Sequence, residues 1–146
     1  MKIETQCLHE GNTPQNGQPL TLPIYQSTTY KYESTAQVAK LFDLTADGHM
    51  YSRISNPTVA AVEEKIAALE GGVGALCTTS GQAATLIAVL NILSAGDHIL
   101  CSSTIYGGTI NLLAVTLKRF GIETSFVDAD ADEETLKAQI QPNTKA

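Results

Sequence analysis

From Pro57 onward the chain alternates short apolar runs with helical stretches, most of which stop at a glycine. That alternation leaves few architectures open. Val59, Val62, Ile66 and Leu69 form one apolar stripe at helical spacing. Asn56 can cap that helix, Pro57 suits its first turn, and Gly71-Gly72 supplies a stop. A strand is expected over 74–79, then a helix over about 82–93 that stops at Gly96. The pattern predicts a second strand over 98–102 and a helix over about 109–120 that stops at Gly121. It predicts a third strand over 123–127 and a helix over about 133–140, with Asp130 placed three residues before Glu133 as a capping-box-like start. Strands alternating with helices of this length mean βα units and a parallel sheet. Asn143–Ala146 falls where a fourth strand is expected. A parallel sheet needs cover on both faces, and three strands with their helices do not achieve it. The segment therefore reads as the first part of a longer α/β domain.

Residues 1–56 read differently. Gly11, Pro14, Gly17, Pro19 and Pro23 punctuate them, and amides and hydroxyls dominate. Ser34 to Leu44 predicts one short helix with Val38, Leu41 and Phe42 on one side. Such an arm has no core of its own and needs another surface, for which a neighbouring subunit is the obvious candidate. The organisation is thus an arm over 1–56 and the beginning of an α/β domain over 57–146.

At the junction stands Tyr51-Ser52-Arg53-Ile54-Ser55-Asn56-Pro57-Thr58. An extended lead-in, favoured before proline, would project Tyr51 and Arg53 to the same side. A hydroxyl and a guanidinium fork on one face suit an anion. From spacing alone, an ordinary surface Tyr and Arg ahead of a helix is the favoured reading.

In open α/β sheets, ligands bind beyond the carboxyl ends of the strands. Ser80-Gly81-Gln82, Ser103 to Gly108 and Asp128 fall there. Ser80-Gly81-Gln82 opens a helix, where backbone N–H groups can cradle a phosphate; a plain serine cap with a permissive glycine is the alternative. Tyr106 beside Gly107-Gly108 can stack on a flat ligand or simply occupy a turn. There is no G-x-x-x-x-G-K-[ST] run. Gly71, Gly72 and Gly74 precede the first strand, so they make no dinucleotide fingerprint.

Composition excludes further classes. A net charge of −6 argues against general nucleic-acid binding. Only 16% of residues are charged, against roughly 25% in typical domains, which hints at surface buried elsewhere. His9, His49 and His98 lie far apart, and Cys7, Cys77 and Cys101 contain no Cys-x-x-Cys pair, so no metal site is expected. No signal-type run and no membrane-length apolar run occur. A reducing, cytoplasmic setting fits these features.

Four motifs in this order resemble the Cys/Met-metabolism family of pyridoxal-phosphate enzymes: Tyr51 to Thr58, Ala68 to Gly72, Thr79 to Ala84 and Tyr106 to Thr109. The likeness runs from about Glu4 to the end. It implies the first βα units of a fold type I, aspartate aminotransferase-like large domain, incomplete in this chain. It implies pyridoxal 5'-phosphate as cofactor, with Gly81 and Gln82 donating backbone N–H to its phosphate and Ser80 adjacent. Tyr106 would stack on the pyridine ring and assist proton movement. Tyr51 and Arg53 would reach the phosphate in a neighbouring subunit, in a homo-oligomer built as a dimer of dimers. Pro23 to Thr28, Leu41 to Leu44, Ser80 to Ala84 and Tyr106 to Asn111 are similar to the O-acetylhomoserine sulfhydrylase branch, which implies an amino-acid ester and sulfide or a thiol as substrates. Methionine γ-lyases usually carry a cysteine at the place of Gly108 and another residue in place of Gln82, and both departures weigh against a lyase. γ-Lyase and cystathionine γ-synthase activities stay open, as does a chain that keeps the fold without chemistry. The family's cofactor-bearing lysine, in a Ser-x-x-Lys context, is not found: Lys145 follows Pro142 and lies before the expected fourth strand. Catalysis is accordingly expected only of a longer protein.

Overall fold

The computed structural model describes all 146 residues, which divide into two compact units, Met1–Cys77 and Thr78–Ala146.

In the first unit the arm lies along a helix. Helices α1 (Ile3–His9), α2 (Thr35–Phe42) and α3 (Pro57–Glu70) are joined by irregular chain. Ser34 caps α2 by accepting from Gln37 N, and Asn56 caps α3 by accepting from Thr58 N. Helix α1 is too short and too exposed to leave an apolar stripe in the sequence; none of its residues is buried. Lys65 Nζ on α3 donates to the carbonyls of Cys7 and Leu8, near the C-terminal end of α1, where a cation is favoured. Gly11 has φ 79°, and a Cβ there would stand 2.0 Å from the Ala61 carbonyl oxygen. Only glycine lets the arm approach α3 this closely. The arm still buries little. Leu41 is its one buried apolar residue, while Phe42, Leu20 and Ile24 stay exposed.

The segment 74–79 does not form the expected strand. It has no ladder partner, Val73 and Leu76 are exposed, and the Cys77 N–H is taken by the Glu63 carboxylate of α3. A strand exists only through its neighbour, and none is present beside it.

In the second unit α4 (Gly81–Ile92) leads to β1 (His98–Ser102), then α5 (Gly107–Asn111), β2 (Glu123–Val127) and α6 (Glu133–Gln139). β1 and β2 pair in parallel, His98 opposite Glu123 through Ser102 opposite Val127. Asn143–Ala146 runs along the other edge of β1: the His98 N–H donates to the Asn143 carbonyl, Lys145 N–H to His98, and Leu100 N–H to Ala146. The βα pattern thus delivers a parallel sheet with β1 in the middle. Val89, Leu93, Ile99, Leu113, Leu117 and Ile122 form the core, each contributing about 1.5–3 kcal/mol of burial. On the opposite face His98 is buried between Thr144 and Ser125, with Nδ1 2.8 Å and Nε2 2.9 Å from their hydroxyls.

Two local expectations change. The helix expected over 109–120 begins at Gly107 and is not one α-helix: α5 passes into a π turn, Leu112–Thr116, and a 3-10 turn, Leu117–Phe120. The Leu117 N–H reaches back to the Leu112 carbonyl, an i→i+5 bond that stacks these two buried leucines. In an α-helix they would sit roughly 140° apart. Thr124 Oγ1 on β2 donates to the Leu113 carbonyl inside this wide turn. Core packing, which needs Leu112, Leu113 and Leu117 together, overrides uniform helix geometry. Helix α6 is capped by Asp132 rather than Asp130, because Asp128 folds 128–131 into a turn by accepting from Asp130 N–H.

Candidate functional site

Two segments of the second unit meet here, the start of α4 and the connection after β1. Ser80 is the N-cap of α4, its Oγ accepting from Ala83 N–H at 3.1 Å. Thr78 Oγ1 donates to the Ser80 carbonyl, which pins the approach to the helix. The Gly81 and Gln82 amides have no acceptor within the protein. Gly81 is exposed, and a Cβ on it would meet nothing within 4 Å. Free N–H groups at the start of a 12-residue helix suit a phosphate.

After β1, Tyr106 precedes α5 with a carbonyl that accepts from both Thr109 and Ile110 N–H. Its side chain is 75% exposed and its hydroxyl is unbonded. Gln82 Nε2 donates to Thr109 Oγ1 at 3.1 Å, across 27 residues of sequence, and so joins the two connections. The ring lies against Gly108, where a Cβ would stand 2.5 Å from Tyr106 Cε1. A flat phosphorylated ligand meets matching chemistry here: free amides for its anion and an exposed aromatic face for its ring. The sequence placed Ser80, Gly81, Gln82 and Tyr106 at this edge; Thr109 as the partner of Gln82 was missed, although it stands three residues after Tyr106 in the same motif. Asp128, at the end of β2, is spent on its own turn. Cys101 faces the core, and burial, opposed by a weaker bond from the Ser102 backbone, pushes its thiol pKa up. It is a packing residue rather than a nucleophile.

Tyr51 and Arg53 lie in the first unit. They do project together, but not from an extended lead-in. Tyr51 makes an isolated antiparallel bridge to Thr29, and its carbonyl accepts from both Ile54 and Ser55 N–H. Ser52–Ile54 is therefore a turn, which folds the Arg53 guanidinium carbon to 5.2 Å from the Tyr51 ring centroid, a cation–π contact. Asn56 holds this turn: it is buried, and its Nδ2 lies 2.9–3.0 Å from the Tyr25 carbonyl, Tyr30 Oη and Ser52 Oγ. Arg53 stays exposed and has no acidic partner.

A cavity of about 450 Å³ lies elsewhere in the first unit, between α3 and the arm near Leu8, Leu22 and Ile66. No group of three His, Cys, Asp or Glu residues is placed to hold a metal, and no helix is long and apolar enough to cross a membrane.

Comparison with known proteins matches residues 4–146 to the family described as Cys/Met metabolism PLP-dependent enzyme. The O-acetyl-L-homoserine sulfhydrylase of Corynebacterium glutamicum is 48% identical over 145 residues, covering 99% of this chain and 33% of that protein. That of Leptospira meyeri is 44% identical, with the same coverage. Among solved structures, an O-acetylhomoserine (thiol)-lyase from Campylobacter jejuni carrying N'-pyridoxyl-lysine-5'-monophosphate superposes with a TM-score of 0.88 at 40% identity, over 99% of this chain and 36% of that one. A cystathionine gamma-lyase from Lactobacillus plantarum superposes at 0.84 and 37%, over 100% of this chain and 36% of that one. The chain spans about a third of the length of the curated relatives it matches.

Proposed function

Because the chain belongs to the Cys/Met-metabolism family of pyridoxal-phosphate-dependent enzymes, we propose that it is the N-terminal portion of an O-acetylhomoserine sulfhydrylase. Residues 1–56 would be the arm that contacts a neighbouring subunit, and 57–146 the first part of the cofactor domain. The observation that carries this reading is the corner where the free Gly81 and Gln82 amides stand beside the exposed Tyr106 ring.

When bound, pyridoxal phosphate supplies an electron sink that makes protons on the amino-acid substrate acidic. The Gly81 and Gln82 amides would hold the phosphate, with Ser80 Oγ–H free to donate a third bond. Tyr106 would cover the pyridine face, keep water off it and orient it. Its unbonded hydroxyl can carry a proton between substrate carbons. Arg53, steadied over the Tyr51 ring, would neutralise the phosphate of the adjacent subunit's site, so that each site is completed by two chains. Over the whole reaction acetate leaves Cγ of O-acetylhomoserine, and sulfide or a thiol adds there to give homocysteine or its thioether. The covalent lysine would lie downstream of residue 146.

The test is to supply the full-length protein with O-acetylhomoserine and sulfide. Homocysteine and acetate should appear in equal amounts. Keto acid as the main product would replace this reading with γ-elimination.

A further inference from the structure

Gln82 touches both halves of the corner. Its backbone amide belongs to the free set at the start of α4. Its side chain reaches the other connection, where Nε2 donates to Thr109 Oγ1 at 3.1 Å. Thr109 is tied to Tyr106 in turn, since the Thr109 N–H donates to the Tyr106 carbonyl at 2.8 Å. The Gln82 carboxamide and the Tyr106 ring also border the same point, since an ideal Cβ on Gly108 would lie 3.2 Å from Gln82 Nε2 and 2.5 Å from Tyr106 Cε1. Nothing else holds this loop to α4 by a side-chain hydrogen bond, and the ring has no hydrogen bond of its own. Gln82 and Thr109 are half-buried while Gly81 and Tyr106 are exposed, so the strut sits beneath the surface on which a ligand would rest.

We propose that the Gln82–Thr109 hydrogen bond sets the Tyr106 ring relative to the α4 amides, which makes Thr109 and the Gln82 side chain positioning residues for the cofactor. The proposal rests on the cofactor reading above. It assigns the Gln82 carboxamide a task separate from its backbone amide, and gives the Thr109 hydroxyl a task beyond the turn. Removing either partner frees the loop, so loss of the second costs nothing more. Groups that act through one bond are non-additive in this way.

The test uses the full-length enzyme, stripped of cofactor and titrated with pyridoxal phosphate. Affinity is read from the cofactor absorbance, and ring placement from the induced circular dichroism of that band. Gln82→Met keeps the backbone amide and the chain length; Thr109→Val keeps the shape. Each should weaken binding about 3- to 10-fold, the range for one net hydrogen bond, and alter the dichroic band. The double variant should be no worse than the weaker single, and Thr109→Ser should restore parental values. A double variant whose loss is the product of the two single losses overturns the strut, as does an unchanged dichroic band in both singles. If Tyr106→Ala loses affinity and signal while Gln82→Met and Thr109→Val do not, the strut is wrong and the cofactor site stands. If the parent binds no pyridoxal phosphate, both fall.

Discussion

Asn56 is the single side chain on which the Tyr51–Arg53 turn and the start of α3 both depend, and its removal has a calculable cost. Asn56→Ala deletes the acceptor for Thr58 N–H, a cap worth about 1 kcal/mol. It also strips the donor from the Tyr25 carbonyl and from two hydroxyls in a site only 7% exposed, which adds about 1–3 kcal/mol. The sum, about 2–4 kcal/mol, corresponds to a fall in local amide protection of roughly 30- to 1000-fold. Hydrogen exchange with mass spectrometry on the full-length protein reads it in peptides covering 24–31 and 56–62. Asn56→Asp separates the two contributions. It keeps the cap oxygen, and Tyr30 can turn its hydroxyl to donate, but the Ser52 hydroxyl is already given to the Ser27 carbonyl and the Tyr25 carbonyl cannot donate. Protection should therefore hold at the start of α3 and fall around Tyr25, whose N–H bonds Thr58 Oγ1. Equal loss in both peptides for both variants, or a loss below threefold for Asn56→Ala, would refute the hub.

Other outcomes follow from the same geometry. Arg53→Ala in the full-length protein should weaken pyridoxal phosphate binding about 10- to 100-fold, as for loss of a charge-assisted bond, and parental affinity in a cofactor titration would sink the clamp. Gly108→Ala should leave the fold intact, because its backbone is ordinary helix and alanine there gains about 0.5–1 kcal/mol. The new Cβ would nevertheless push the exposed Tyr106 ring by roughly 1 Å to reach contact distance, so the cofactor dichroic band should change while the melting temperature does not fall. Asp132 has its carboxyl pKa lowered by hydrogen bonds from Thr135, side chain first and backbone second. Its folded value lies below its unfolded one, so its contribution to α6 is complete above the unfolded pKa and is lost as pH falls through the folded one. Exchange protection of α6 should fade on the acid side in the parent, and stay flat there in Asp132→Asn.

What the sequence made legible was what burial and local chemistry determine together. The strands over 98–102 and 123–127 are observed with those bounds, because Ile99 and Ile122 anchor them in the core. The Asn56 cap and the stop at Gly71 were legible because capping is local. The strand over 74–79 was not observed, since pairing depends on a neighbour that local pattern does not reveal. The π turn escaped notice because Leu112, Leu113 and Leu117 are consistent with a helix until Ile122 and Thr124 are packed against them. The strand-end rule placed Tyr106 after an observed strand, whereas Ser80, Gly81 and Gln82 follow a segment that is not a strand and come beside Tyr106 through the Gln82–Thr109 bond. The Gln82–Thr109 bond was out of reach, because it depends on how two loops meet.

His98 ties Asn143–Ala146 into the sheet. Its N–H, its carbonyl and its Nδ1, together with the Leu100 N–H, all find partners in Asn143–Ala146. A protease cut after Gln141 would therefore reach the sheet itself. It would strand four polar groups at the middle of the sheet, beside an imidazole 1% exposed. A nick there should be slow in the folded protein, and once made it should loosen β1 and with it the loop that carries Tyr106.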